Sequence, residues 1–414
     1  MTQAASGPHD PYHALRFAEY RRYLFGTCAM AIASLIQSVV MGWQVYEITH
    51  SALSLGLVGL AEALPCLGLT LVGGYAADRM DRRILALLSL SVLLAGAVLL
   101  FLMNRNGPPT VAWPFYAIQA MAGVGRAFSR PATQALRTEL VPREAFANAA
   151  TWNSSVFQTA MVLGPAAGGL LYGFGGAHSA YGVEVALLLL GGVAIFTLSP
   201  HPRLTPVQGG FIKSLKEGIA FVISQQVLMG AMSLDLFAVL FGGAPALLPM
   251  FAADLLRVGP QGLGLLRAAP AVGSILISLT LAHRKPMASA GRTLLVSVAL
   301  FGLCWIAFAF STNLILSLLL LAISGALDSV SVVLRQTLLQ IRTPAALMGR
   351  VSAVSSFFIT SSNEIGAFES GVAARLLGLI PSVVFGGLMT LGVVAMTTWK
   401  APELRKLKYL HPVE

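Results

Sequence analysis

The polar and charged side chains that interrupt long apolar runs are the first candidates for function in this 414-residue chain. In the run 313–337, Ser317, Ser324, Asp328, Ser331 and Arg335 recur at steps of 7, 4, 3 and 4, which is one face of a helix. A second run sets out Tyr116, Gln119, Gly123, Arg126 and Arg130 in the same way, and a third Ser34, Gln37, Met41 and Gln44. Asp235 and Glu364 stand in two further runs, Glu364 beside Asn363 on a stretch with Ser356 and Thr360. These groups suit ion pairing, polar ligand binding and proton carriage rather than bond making. Carboxylates in a low-dielectric site make Asp235, Asp328 and Glu364 the proton-carrying candidates. No phosphate-cradling glycine loop with Lys and Ser/Thr occurs, and the seven histidines show no metal-ligand spacing. An enzyme, an ATP-driven device and a resident metal or cofactor are therefore not expected.

The runs that carry these residues belong to a membrane. Hydrophobic residues make up 56% of the chain and charged ones 11%, against about a quarter charged in soluble domains. At roughly 20 residues per span, the chain has room for about twelve transmembrane helices, so the expected class is an all-α multi-pass membrane protein. The net charge of +10 would suit nucleic acid, but its distribution does not. Most Lys and Arg fall in alternate loops and the tails on one side, while Arg105, Arg257 and Arg375 fall in opposite loops. This is the positive-inside pattern, and it places both termini in the cytoplasm. The expected organisation is a tail 1–21, a six-helix bundle 22–200, a linker 201–226 rich in Pro and Gly, a second bundle 227–399 and a tail 400–414. The seventh span is read as 227–253. The N-terminus lacks a cleavable signal pattern, and Cys28, Cys66 and Cys304 lie far apart in apolar runs, so no disulfide framework is indicated.

The two halves repeat. GLAEALPCLG (59–68) aligns with GLLRAAPAVG (264–273) at an offset of 205, and an offset near 202 pairs Pro142 with Pro344, Gly164 with Gly366 and Gly169 with Gly371. Such halves bind substrate at their interface and rock about it. The same registers set Arg126 on Asp328 and Glu62 on Arg267, opposite charges at equivalent positions. Two latches between the halves are expected from this: Arg126–Asp328 on the cytoplasmic side and Glu62–Arg267 on the outer side. The alternative is that each charge pairs within its own half. Asp328 and Arg335 could likewise satisfy each other two turns apart. Glu184 and Asp254 lie near span ends, where solvation is expected.

Gly73 to Arg83, GGYAADRMDRR, joins the second and third runs. Gly74, Asp78, Arg79, Arg82 and Arg83 resemble the G-x-x-x-D-R-x-G-R-R loop of the major facilitator superfamily, with Asp81 where that pattern has glycine. Gly164, Pro165, Gly168 and Gly169 resemble its G-P-x-x-G-G motif, with Ala160 in place of the leading glycine. The run 128–155 resembles the branch that holds siderophore and macrolide exporters. The resemblance implies twelve helices in two pseudo-symmetric six-helix bundles, with the first, fourth, seventh and tenth helices lining a central cavity. It implies that Asp78 meets the N-terminal end of the eleventh helix as a gating latch, with Arg137 as a second partner. Residues 164–169 would form a packed hinge. Gln119 stands where many drug/proton antiporters of the superfamily have arginine.

The expectation is a monomeric inner-membrane exporter of a small amphiphilic molecule, siderophore or drug-like, working by alternating access as a proton antiporter. Its site would include Gln37, Gln44, Gln119, Arg126, Asp235, Asp328, Arg335 and Glu364, with Glu62 and Arg267 as gating residues. Lipid or lysolipid movement, which would make membrane lipid the cargo, is the alternative within transport. A non-transporting membrane sensor or assembly partner is the alternative outside it.

Overall fold

At three of the long helices a polar side chain, Ser51, Asp81 or Asn313, takes up free backbone N–H groups at the start. The computed structural model describes residues 10–199, 211–242, 244–283, 289–344 and 347–407, and these contain no strand. In chain order the long helices are α1 (Ala18–Thr49), α2 (Ala52–Arg79), α3 (Arg82–Met103), α4 (Trp113–Glu139) and α5 (Phe146–Phe196). There follow α6 (Phe211–Ser224), α7 (Gln226–Gly242), α8 (Gly259–Ala282), α9 (Ala290–Ala309), α10 (Leu314–Arg342), α11 (Met348–Leu377) and α12 (Leu379–Lys400). Asp81 caps α3 by accepting from Arg83 N at 2.8 Å and Ile84 N at 3.3 Å, and Asn313 caps α10 through Ile315 N at 2.8 Å. Each cap supplies partners for N–H groups that a helix start leaves free.

Among the described residues, nine helices are long and apolar enough to cross a membrane. One of them, α5, breaks at Gly176, whose φ of 71° a side chain would resist, and so crosses twice (146–175 and 177–196). Helices α4 and α11 have the length but carry more charge. The result is twelve crossings, six before α6 and six after it. Helix α6 lies against the second bundle: Ile219 and Phe221 join its apolar cluster, and Glu217 pairs with Arg350 at the start of α11. The seventh crossing is not one continuous helix. After Gly242 the chain resumes as a 3-10 turn at Pro245–Leu247 and passes through a π turn at Phe251–Leu255. Pro245 accounts for the break, since it offers no N–H and forces Ala244 out of the helical region (φ −104°, ψ 39°).

The contacts within the two bundles match at the offsets of the sequence repeat. Gly123 backs onto Pro65 and the Glu62 carbonyl, and Gly325 onto Pro270. Gly164 meets Leu35, and Gly366 meets Leu240. Between the bundles, Gly169 of α5 lies against Gly264 of α8, and Gly56 of α2 against Gly371 of α11, backbone to backbone. In lipid there is no hydrophobic force between helices, so such close approach supplies the packing. These four glycines sit near the helix ends remote from the arginine-rich loop 79–83. Trp43 and Ala52 of the first bundle join Leu247, Phe251 and Leu263 of the second in one apolar cluster at the same far face. The bundles are thus sealed at the far face and part toward the arginine-rich one.

Candidate functional site

The parting encloses a cavity of about 860 Å³. Its walls come from α1 (Tyr23, Thr27), α2 (Thr70, Gly74), α4, the start of α5 (Asn153, Phe157) and the start of α11 (Ser352, Phe357, Thr360). Helix α4 contributes Arg126, Arg130 and Arg137, and no carboxylate lines the cavity among the described residues. The wall is therefore cationic with large apolar panels. Residues at the helix ends, such as Gly74, Arg137 and Gly349, carry it to the arginine-rich face.

Four residues meet at its inner end. Arg126 pairs with Glu62 of α2, which is 5% exposed, and Gln119 Nε2 donates to the same carboxylate at 2.5 Å. Glu364 of α11 interacts electrostatically with Glu62, Arg126 and Arg130 across the seam between the bundles. Arg130 Nη1 crosses the same seam to donate to Thr360 Oγ1 at 3.3 Å. A second cluster lies inside the second bundle, where Arg335 of α10 pairs with Asp235 of α7. Asp235, Asp328 and Ser331 border a separate cavity of about 10 Å³, room for about one water molecule.

Three further polar contacts tie the bundles together. Arg267 Nη1 donates to Ser38 Oγ at 2.7 Å, Gln158 Nε2 donates to Ser274 Oγ at 2.9 Å, and the Tyr46 hydroxyl donates to Asp254.

The structure redistributes several expected groupings. Of the expected cavity residues, Arg126 lines the large cavity. Gln37 and Gln44 are buried inside the first bundle, and Asp235, Asp328 and Arg335 lie inside the second. The lining comes from the first, second, fourth, fifth and eleventh helices, because the void lies near the arginine-rich ends, where α11 and not α7 or α10 faces the first bundle. Neither expected latch is formed. Arg126 meets Glu62 one helix away, which leaves Arg267 with Ser38 although the far face is closed. Arg335 is bonded to Asp235 of α7, which takes it away from the alternative intrahelical pairing with Asp328. Glu184 is 1% exposed rather than solvated, and Asp254 accepts from Tyr46.

In the 73–83 loop, Arg82 pairs with Glu139 at 2.5 Å, Arg83 donates to the Phe196 carbonyl and stacks 5.0 Å over its ring, and Arg79 lies 4.3 Å over Tyr75. The Asp78 side chain lies outside the described residues. Glu139 was not picked out by the sequence, and neither was the capping role of Asp81, although it had a visible signal, an Asp directly before a helical run. Gly164 and Gly168 pack on Leu35 and Ile36 of α1, and Gly169 on α8.

Residues 9–411 match the profile of the transmembrane secretion effector family, a branch of the major facilitator superfamily. The chain belongs to this family. It is a multi-pass membrane transporter and not an enzyme. This family member is 28% identical to the enterobactin exporter EntS of Shigella boydii over 400 residues, 94% of each chain. The same identity and coverage hold for the enterobactin exporter EntS of Escherichia coli O81. Solved structures share the fold at low identity. A POT family transporter in complex with 5-aminolevulinic acid gives a TM-score of 0.73 at 12% identity, over 94% of this chain and 96% of that one. A bacterial homologue of the human lysosomal transporter Spinster, in an inward-facing and occupied conformation, gives 0.70 at 14%, over 98% and 100%.

Proposed function

We propose that the protein exports a small amphiphilic anion across the cytoplasmic membrane by alternating access, in exchange for protons. The observation that carries this is the 860 Å³ cavity between the bundles, walled by Arg126, Arg130 and Arg137 with no carboxylate among the described lining residues. Fixed cations in a partly dry wall favour an acidic or catecholate group through charge-assisted hydrogen bonds. Aromatic panels such as Phe157 and Phe357 accept the apolar body of the same molecule. On this reading the arginine-rich face is cytoplasmic, both termini lie there, and the cavity is loaded from inside the cell. The far-face glycine contacts then part while the arginine-rich ends close, with bundles 22–200 and 227–399 moving as units. The carboxylates that exchange protons are Asp328, beside the Asp235–Arg335 pair, and Glu364, at the seam.

The relatives' substrate, enterobactin, is the first compound to test. Inverted vesicles containing the protein are expected to accumulate it when the interior is acidic and to stop when the pH gradient is collapsed. Accumulation that ignores the gradient would remove proton exchange and leave transport. An absence of accumulation and of binding would remove this class of substrate.

A further inference from the structure

In each bundle a buried arginine is bonded to one carboxyl group, and a second carboxyl group lies within its electrostatic reach. In the second bundle Arg335 is bonded to Asp235, and Asp328 stands beside them. In the first, Arg126 is bonded to Glu62, and the additional carboxyl is Glu184, on the second crossing of α5. Glu184 is 1% exposed, and its Oε2 has no hydrogen-bond partner among the described residues. The residues around it are apolar: Leu188 on the next turn packs with Leu90, Ala97 and Ala33 of the neighbouring helices. Helix α3 carries no charged residue between 84 and 103, and α1 offers Gln37 and Gln44 on its buried face. The charged group that reaches Glu184 is Arg126 of α4, and the titratable neighbour on its own helix is Tyr181.

A bare carboxylate in such surroundings is too costly to keep. While Glu62 holds Arg126, the charge available to neutralise Glu184 is a proton. Arg126 interacts electrostatically with Glu62, Glu184 and Glu364. When the bundles rock, Glu364 of the opposite bundle moves relative to Arg126; if the arginine side chain then turns from Glu62, it becomes a counter-ion for Glu184, and the proton is free to go. A polar path points outward from this place. One turn away the Tyr181 hydroxyl donates to Gln44 Oε1 at 2.8 Å, and Gln44 Nε2 donates to Asn104 at 2.6 Å, at the far-face end of α3.

We propose that Glu184 is a further proton-binding carboxyl besides Asp328 and Glu364, doing within the first bundle what Asp328 does within the second, and that it is loaded and unloaded as Arg126 changes partner. The proposal rests on the proton-exchange reading above. The step moves no electrons: the carboxyl O–H bond breaks, the proton passes to water in the opened cavity, and the remaining charge is matched by Arg126.

The variant E184Q decides it, because glutamine has the shape of the neutral acid but cannot release a proton. In inverted vesicles, enterobactin accumulation driven by a pH gradient is expected to fall in E184Q to the level of de-energised vesicles. Exchange of labelled for unlabelled enterobactin, which needs no net proton movement, should persist and reports a folded protein. If E184Q accumulates as the unaltered protein does, Glu184 is a permanently neutral structural group and the proposal fails. If the unaltered protein itself ignores the gradient, the proton-exchange reading fails first. A second measurement needs no transport. The infrared carbonyl band of protonated carboxyl groups, recorded on purified protein at neutral pH, should lose intensity in E184Q, and an unchanged band would overturn the proposal.

Discussion

Arg126 is bonded to Glu62, the acid on the neighbouring helix of its own bundle, and not to Asp328, the residue that occupies its own position in the repeat. The difference matters because Arg126 also lines the large cavity. A charge that spans an internal pair and a substrate wall can report the occupancy of one to the other. Breaking a buried pair leaves the survivor uncompensated, at about 3–5 kcal/mol. Glu62→Ala should therefore lower thermal stability in detergent more than Glu62→Gln, which keeps a hydrogen-bond acceptor for Arg126. The exchange Glu62→Arg with Arg126→Glu should recover part of the loss. Equal melting temperatures for all three variants would show that the pair contributes nothing.

Arg137 and Arg130 line the cavity, and no carboxylate lines its wall among the described residues, so their charges are available to an anion. A hydrogen bond to a charged group contributes about 1.5–3 kcal/mol, so, on the export reading proposed above, each replacement by Gln should raise the KM for the anionic test compound enterobactin by roughly 10- to 100-fold. The maximal rate should change less. Competition by a neutral analogue should be unaffected by the same replacements. If the neutral and anionic compounds weaken together, the arginines shape the wall rather than select charge.

Much of this arrangement was legible in the chain, and the parts that were not share a cause. The apolar runs fixed the crossings because lipid leaves no other backbone solution. The offsets of the repeat were also readable: Gly123–Pro65 and Gly325–Pro270 are the same contact at 202 and 205 residues' remove. Equivalence is not proximity, however, and the pairing of Arg126 depended on which acid a helix rotation brought within reach. The same limit hid Glu184. It stands eight residues after Gly176, which reads as near a surface, but the α5 turn is tight and the helix packs at once against α1 and α3. The break in the seventh crossing was written in Pro245 and was masked by the apolar run around it.

Asp81 stands where the superfamily loop has glycine, and its place at the start of α3 gives the reason both residues are acceptable. Asp caps the helix through its side chain, and Gly is tolerated at the same position at a cost of a few tenths of a kcal/mol, whereas Ala costs about 1 kcal/mol. The expected order of stability is therefore Asp81 first, Asp81→Gly slightly below it and Asp81→Ala lowest. Melting temperatures of the three proteins check it, and Asp81→Ala at or above Asp81→Gly would mean that the side-chain cap is not what holds the loop.

The far-face seal offers the most direct control of conformation. A Cβ on Gly264 would meet the Pro165 carbonyl and the Gly169 backbone, neither of which can give way unless α5 and α8 separate. Gly264→Ala should shift the population toward a state open at the far face. With single cysteines introduced by Ser38→Cys on α1 and Asn153→Cys on the cavity wall, Gly264→Ala should speed labelling of the first by an impermeant maleimide from the far side. It should slow labelling of the second from the arginine-rich side. Gly392→Ala is the control, since a Cβ there meets nothing within 4 Å, and both labelling rates should stay as they are. If Gly264→Ala leaves them unchanged as well, the glycine contact is not what holds the far face closed, and the seal lies in the Trp43–Phe251 cluster instead.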